Sequence, residues 1–279
     1  MLQILNDRNA LIRHIIRVLH ERAEADKLFS DNEVNRQTSA GVLLLLGAGV
    51  NPTNQSGEPC LILNKRSSKV RHPGDLCFPG GSISPRLDSL LAKLFSLPMT
   101  SLGRWQYWSQ WKHAQPQSAR WLALLWATGL RESLEEMRLN PFGTKFLGPM
   151  PPHNLVMFER RIYPIVTWIQ RQKRFIPNWE VEKILYIPLR NLLDPANYRR
   201  YRLRMKIPAG TQPSNLTRDY PCFRFQDNSG SEILWGATFQ ITTLFMEYVF
   251  GFKPPNLESL PVVEGSLDPA YLTGQKGRT

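Results

Sequence analysis

The run Arg131-Glu132-Ser133-Leu134-Glu135-Glu136 sets three carboxylates within five residues, a spacing that suits metal chemistry. On a helix, residues three and four apart share a face, so Glu132, Glu135 and Glu136 form one acidic patch and Arg131 pairs with Glu135. Crowded carboxylates repel one another. They are tolerated as a solvated face, or when a divalent cation neutralises them, and an all-oxygen donor set selects hard ions such as Mg²⁺ or Mn²⁺. A second run, His72-Pro73-Gly74-Asp75-Leu76-Cys77-Phe78-Pro79-Gly80-Gly81, reads as a tight loop ending in two glycines. Gly80 and Gly81 can adopt positive φ, approach another group closely and offer a carbonyl to a cation; an ordinary turn needs the same residues. Together, such a loop and such a helix can hold Mg²⁺ against a pyrophosphate.

Other residues surround these two runs. Arg66 and Arg71 stand just before the loop, where guanidinium forks suit phosphate oxygens and surface charge is the competing reading. Glu180 and Glu182 lie on a separate segment that can bring a further carboxylate to the helix or leave it exposed. No Ser or Cys occupies an elbow motif, so no nucleophile triad is indicated.

The elements that must position these residues follow from periodicity. Apolar residues recur at helical spacing from Leu2 to Ala23, predicting an amphipathic N-terminal helix. The continuous apolar run Gly41–Leu46 suits a strand covered on both faces, with Cys60–Leu63 as its hairpin partner across a turn from Asn51 to Pro59. The carboxylates fall on the strongest predicted helix, Ser118–Arg138, which is proline-free and has Ser118 available as its cap. Further strands are predicted at Lys145–Gly148, Arg161–Ile169, Ile184–Ile187, Tyr198–Met205 and Pro221–Gln226, and a last helix at Ala237–Phe250. Strands and helices in this order describe a mixed sheet between helices, in one domain over 1–252. The tail, 253–279, contains Pro and Gly and is expected to be disordered.

Between 82 and 117 the chain reads as irregular, with one short helix around Leu87–Leu97 and an insertion at about 88–116. The insertion carries Trp105, Trp108 and Trp111 at helical spacing, with Arg104, Lys112 and His113 around them. Aromatics interleaved with cations can stack on a base. The reading favoured here is that the stripe anchors the insertion to the domain.

Composition bounds the class. The 279 residues are 42% hydrophobic, enough for a sizeable core, and carry a net charge of +12, which favours anionic partners. No apolar run is long enough to span a bilayer, and charges interrupt the N-terminus, so no membrane span and a soluble, cytoplasmic protein are expected. Cys60, Cys77 and Cys222 lack C-x-x-C spacing and read as reduced, structural cysteines. Nothing in the sequence sets the oligomeric state.

The two opening runs resemble the Nudix hydrolases, whose signature is a Gly, five residues, Glu, seven residues, then Arg-Glu-apolar-x-Glu-Glu-x-Gly-apolar. Its second half stands as Arg131 to Leu139, with Ser133 at a usually apolar position and Arg138 at the helix-ending Gly. Counting from Gly81, Leu87 occupies the first Glu position, and Arg131 arrives only after the insertion, so the box is interrupted. Without its Gly the helix is expected to end differently, with Asn140 as the left-handed residue. The run Lys65–Gly81 is similar to the extended motif of the coenzyme A pyrophosphatase branch. Pro177-Asn178-Trp179-Glu180-Val181, Ile187-Pro188-Leu189 and Trp235-Gly236-Ala237-Thr238 echo that branch's later segments.

The resemblance implies an α/β fold, the Nudix-like α/β/α sandwich with a central mixed β-sheet. It implies Glu132, Glu135 and Glu136 as the metal set, the Gly81 carbonyl as a further ligand, Glu132 as the group activating water, and Mg²⁺ or Mn²⁺ as cofactor. Arg131 is expected to orient a helix carboxylate, and His72 to shape the loop. Arg66, Arg71, Gly80 and Gly81 are expected to face a nucleotide-containing small-molecule substrate, with coenzyme A or acyl-coenzyme A as the leading class. Two further readings stay open. Ser84 and Leu87 at usually acidic positions fit a non-catalytic Nudix-fold binding or regulatory protein. The positive charge and the Trp stripe fit an RNA-binding or cap-hydrolysing one.

Overall fold

The computed structural model describes residues 2–26, 28–29, 34–48, 57–155, 160–172, 174–206, 215–227, 230–267 and 271. In chain order it runs α1 (Arg8–Ala25), β1 (Ser39–Ala48), β2 (Pro59–Arg66), β3 (Leu76–Cys77), β4 (Gly80–Ser82), α2 (Pro85–Phe95), α3 (Trp108–Ala114) and α4 (Pro116–Met137). There follow β5 (Thr144–Pro149), β6 (His153–Leu155), β7 (Arg160–Ile169), β8 (Val181–Pro188), α5 (Leu189–Leu192), β9 (Tyr198–Lys206), β10 (Asn215–Asp227), β11 (Gly230–Leu234), α6 (Gly236–Phe250) and β12 (Val262–Leu267). Most of the predicted Asn51–Pro59 turn lies outside the described residues.

The fold is mixed α/β. Among the described residues the strands form an eight-stranded and a four-stranded sheet. The larger is mixed: β1 pairs in parallel with β7 and antiparallel with β2 and β4. Val42 to Leu46 are all buried, so β1 is covered on both faces as its unbroken apolar run requires. The smaller sheet, in the order β11-β10-β9-β12, contains the strands predicted at Tyr198–Met205 and Pro221–Gln226 as β9 and β10, where the sequence pointed to one mixed sheet.

Helix α4 reaches β1 because glycines clear its path. A side chain at Gly41 would strike the Leu125 backbone, and one at Gly129 would meet the side chain of Leu43. The close approach these glycines permit carries the carboxylates of α4 to the Gly80–Gly81 strand.

The ends of α4 correct two expectations. Gln115 precedes the first turn without a side-chain cap, and Ser118 is buried, with its hydroxyl directed at the Phe29 carbonyl at 3.4 Å. Pro116 opens the helix instead, at a position where its missing N–H costs nothing. At the other end Arg138, and not Asn140, takes the left-handed conformation at φ 57°, while Asn140 caps the short turn that follows.

The segment expected as an insertion, 88–116, is more ordered than its prolines suggested, with α2 and α3 both formed. Trp105, Trp108 and Trp111 are all buried, with Trp105 edge-on to Phe146 at 5.0 Å and to Trp111 at 5.4 Å. The stripe is an anchor, and it offers no face for a base to stack on. The tail is also partly structured: β12 adds to β9 in parallel, where disorder was expected from Lys253 onward. Tail residues 268–270 and 272–279 lie outside the described residues.

Two stability changes of opposite sign are expected in urea titrations. Arg138→Gly removes a side chain from the left-handed region and should raise stability by about 1 kcal/mol. Gly41→Ala puts a methyl against the α4 backbone and should lower it by about 2 kcal/mol.

Candidate active site

The site forms where the end of β2, strand β4 and helix α4 converge. Gly81 pairs with Gly41 of β1, and a Cβ on Gly81 would stand 2.5 Å from the Glu132 carboxylate carbon. Glycine at 81 therefore makes room for the Glu132 head. Gly80 has φ 145°, and a side chain there would strike the β1 backbone.

Arg131 fixes this arrangement. Its Nε donates to Asp88 Oδ1 at 2.7 Å, and its Nη2 donates to the Ser82 carbonyl at 3.0 Å. The same guanidinium lies 3.0 Å from Glu132 Oε1 and 3.3 Å from Glu135 Oε1. Burial opposes the charge of Arg131, but the hydrogen bond to Asp88 and the charges of Glu132 and Asp88 outweigh it and hold the group above its ordinary range. Asp88 is fully buried and also accepts from the Ser84 N–H at 2.7 Å and the Thr128 hydroxyl at 2.9 Å. Asp88 was not foreseen; it stands one residue after Leu87, the position counted from Gly81, and supplies the buried carboxylate that Arg131 pairs with.

Glu136 faces the end of β2. Asn64, itself buried, donates from Nδ2 to Glu136 Oε2 at 2.9 Å, while its Oδ1 has no hydrogen-bond partner among the described residues. Burial, reinforced by the charges of Glu132 and Glu180, pushes the Glu136 carboxyl up to about 8 against the opposing charge of Arg66 and the Asn64 bond. Burial likewise raises Glu132, against the pull of Arg131. Asn64 was not foreseen; its signal was a lone amide ending the apolar run of β2.

Glu180 arrives on a segment stitched to α4 and β2. The Asn178 N–H donates to the Glu136 carbonyl at 2.8 Å, and the Ser67 N–H to the Glu180 carbonyl at 2.8 Å. Glu182 instead pairs with Lys65 at 3.1 Å.

Among the described residues no three His, Cys, Asp or Glu side chains are gathered as a metal-binding group. Glu135 is exposed and turned to Arg131, the cation one helical turn away, which leaves Glu132 and Glu136 on the inner side. Those two carboxylates, with the unpartnered oxygen of the Asn64 amide that donates to Glu136, supply oxygen donors of the kind that suits a hard divalent ion.

Above this set lies the loop. Arg66 Nε donates to the Arg71 carbonyl at 2.7 Å, so part of the Arg66 fork is spent on closing the loop, whereas Arg71 is exposed. His72 has φ 56°, consistent with a residue that shapes the turn, and burial together with the charges of Arg66 and Arg71 lowers its pKa. Asp75 anchors the loop from below, accepting from Trp235 Nε1 at 3.0 Å and from the Tyr271 hydroxyl.

No family model matches the chain, and no curated protein matches it. Among solved structures it is similar to "a Nudix Hydrolase from M. Smegmatis, RenU", at 12% identity over 56% of this chain and 73% of that one, with a TM-score of 0.34. It is similar to a C. elegans Ap4A hydrolase at 11% identity, over 56% of this chain and 83% of that one, with a TM-score of 0.35. A third is the NUDIX domain of Shewanella oneidensis NrtR complexed with ADP ribose, at 16% identity over 61% and 85% of the two chains, with a TM-score of 0.34. These likenesses assign no activity or substrate to this chain.

Asp88→Asn leaves the Arg131 guanidinium without its buried counter-charge. The variant should lose about 3 kcal/mol of stability, read as a lower urea midpoint at unchanged slope.

Proposed function

We propose that this protein is a divalent-metal-dependent hydrolase of a nucleoside diphosphate linked to another group, with coenzyme A or acyl-coenzyme A as the substrate class. The observation that carries this reading is the pair Glu132, packed against Gly81, and Glu136, held by the Asn64 amide whose own oxygen has no partner among the described residues. Two carboxylates and an unsatisfied carbonyl drawn into one partly buried place are costly without a cation.

Glu132 and Glu136 would hold Mg²⁺ or Mn²⁺, with the Asn64 oxygen and the Gly81 carbonyl as further donors. The ion, when bound, neutralises phosphate charge and lowers the pKa of water. Asn64 keeps the Glu136 head in place, and Arg131 with Gly81 keeps that of Glu132. From there Glu132 can accept the proton of the attacking water. Arg71, exposed at the loop, presents a guanidinium to phosphate, while Arg66 holds the loop closed. The Lys65–Gly81 motif supports coenzyme A derivatives over other nucleotides.

A binding or regulatory role is favoured by one observation, the commitment of Glu135 to Arg131. The nucleic-acid reading loses its aromatic support, because the Trp stripe is buried.

Purified protein with Mg²⁺ or Mn²⁺ should release phosphopantetheine and adenosine 3′,5′-bisphosphate from coenzyme A, and chelation should stop it. Glu132→Gln and Glu136→Gln should each lower kcat at least about 100-fold, as expected for groups acting only in the transition state. No product from coenzyme A, ADP-ribose, NADH or dinucleoside polyphosphates would rule out the enzyme reading. Unchanged turnover in both variants would remove these residues from the site.

A further inference from the structure

The insertion presents an outer face that its anchoring role leaves unused. On α2, Asp88, Ala92 and Phe95 point into the protein, whereas Leu87, Leu90 and Leu94, at helical spacing on another face, are exposed. Leu90 is 65% exposed, and the turn after α2 continues the stripe with Leu97 and with Met99, 80% exposed. Phe142, 70% exposed, stands 5.9 Å from Phe95 at the same end of the helix. Isolated apolar side chains on a surface are ordinary, but a continuous stripe of this kind marks an interaction face.

The charge around the stripe points to its partner. Residues 89–130 contain no Asp or Glu, while Lys93, Arg104, Lys112 and Arg120 are all exposed, and Arg86 stands just before them. On α2 itself Arg86 and Lys93 lie beside the leucines. Leucines flanked by cations on a surface helix are the pattern of an element lying in the headgroup region, with lysine and arginine drawn to anionic lipid. A second copy of the chain is a poor fit, because it would bring the same leucines flanked by Arg86 and Lys93 and a further net charge of +12. Among the described residues no helix is long and apolar enough to cross a membrane, so any attachment through α2 is superficial.

We infer that α2 and the turn after it form a docking surface for an anionic lipid bilayer. The leucines enter the boundary between headgroups and acyl chains, and Arg86, Lys93 and Arg104 meet the lipid phosphates. Because Asp88 of the same helix holds Arg131 on its inner face, docking through the outer face leaves the carboxylate site intact.

The test is co-sedimentation of the full chain with vesicles at physiological salt. Vesicles containing about a third phosphatidylserine should pellet the protein, and phosphatidylcholine alone should not. Leu90→Ser/Leu94→Ser changes no charge and should weaken binding to anionic vesicles at least about ten-fold. Met99→Ser, beyond the helix, should weaken it in the same direction with circular dichroism unchanged. Equal binding by these variants would show adsorption through net charge alone and overturn the proposal. It is equally overturned by failure of the parent protein to bind, or by a concentration-dependent dimer in light scattering that the leucine variant abolishes.

Discussion

The buried ion pair between Arg131 and Asp88 is the constraint on which the rest of the site depends. A fully buried carboxylate must be paired and hydrogen-bonded, and Asp88 is met by Arg131, the Thr128 hydroxyl and the Ser84 N–H. These partners come from α4 and from the lead-in to α2. Arg131 also bonds the Ser82 carbonyl at the end of β4. One guanidinium thereby joins α2, β4 and α4 and places the Glu132 head against Gly81. Breaking such a pair leaves an uncompensated charge, which is why the geometry is defended even though the pair itself adds little net stability.

The ion pair also explains how residues 89–115 can stand between the loop and the helix without separating them. This segment leaves after Asp88 and leads into α4, so both of its ends are clamped by the interaction that sets the site. The body of this segment is held independently by Trp105 against Phe146, by Trp111 against Trp105 and Phe29, and by His20 stacked on Tyr107 at 3.4 Å. The indole N–H groups of Trp105, Trp108 and Trp111 have no partner among the described residues, a cost outweighed by the area those rings bury.

The smaller sheet acts on the opposite side of the site. Lys65 of β2 and Lys183 of β8 both pair with Glu232 of β11, at 3.1 Å and 2.7 Å, which ties that sheet to the larger one. Trp235 and Tyr271 then hold Asp75, the carboxylate beneath the loop. The loop is thus fastened by residues more than 150 positions away in the chain.

Local patterns in the sequence determined much of this protein. The two-sided burial of β1, the long carboxylate helix, the glycine-ended loop and the anchoring tryptophans were all legible, because periodicity and residue type act over a few neighbours. Tertiary structure decided what depends on distance through space. It turned Glu135 to Arg131 and Glu136 to Asn64, two roles that identical side chains on one helix turn cannot reveal. It brought Asp88, and not a residue at the counted position 87, to Arg131, since a buried guanidinium selects a carboxylate by reach and not by register. It also recruited the tail as β12, because an edge strand pairs with whatever backbone is brought beside it, and only the folded chain decides which segment that is.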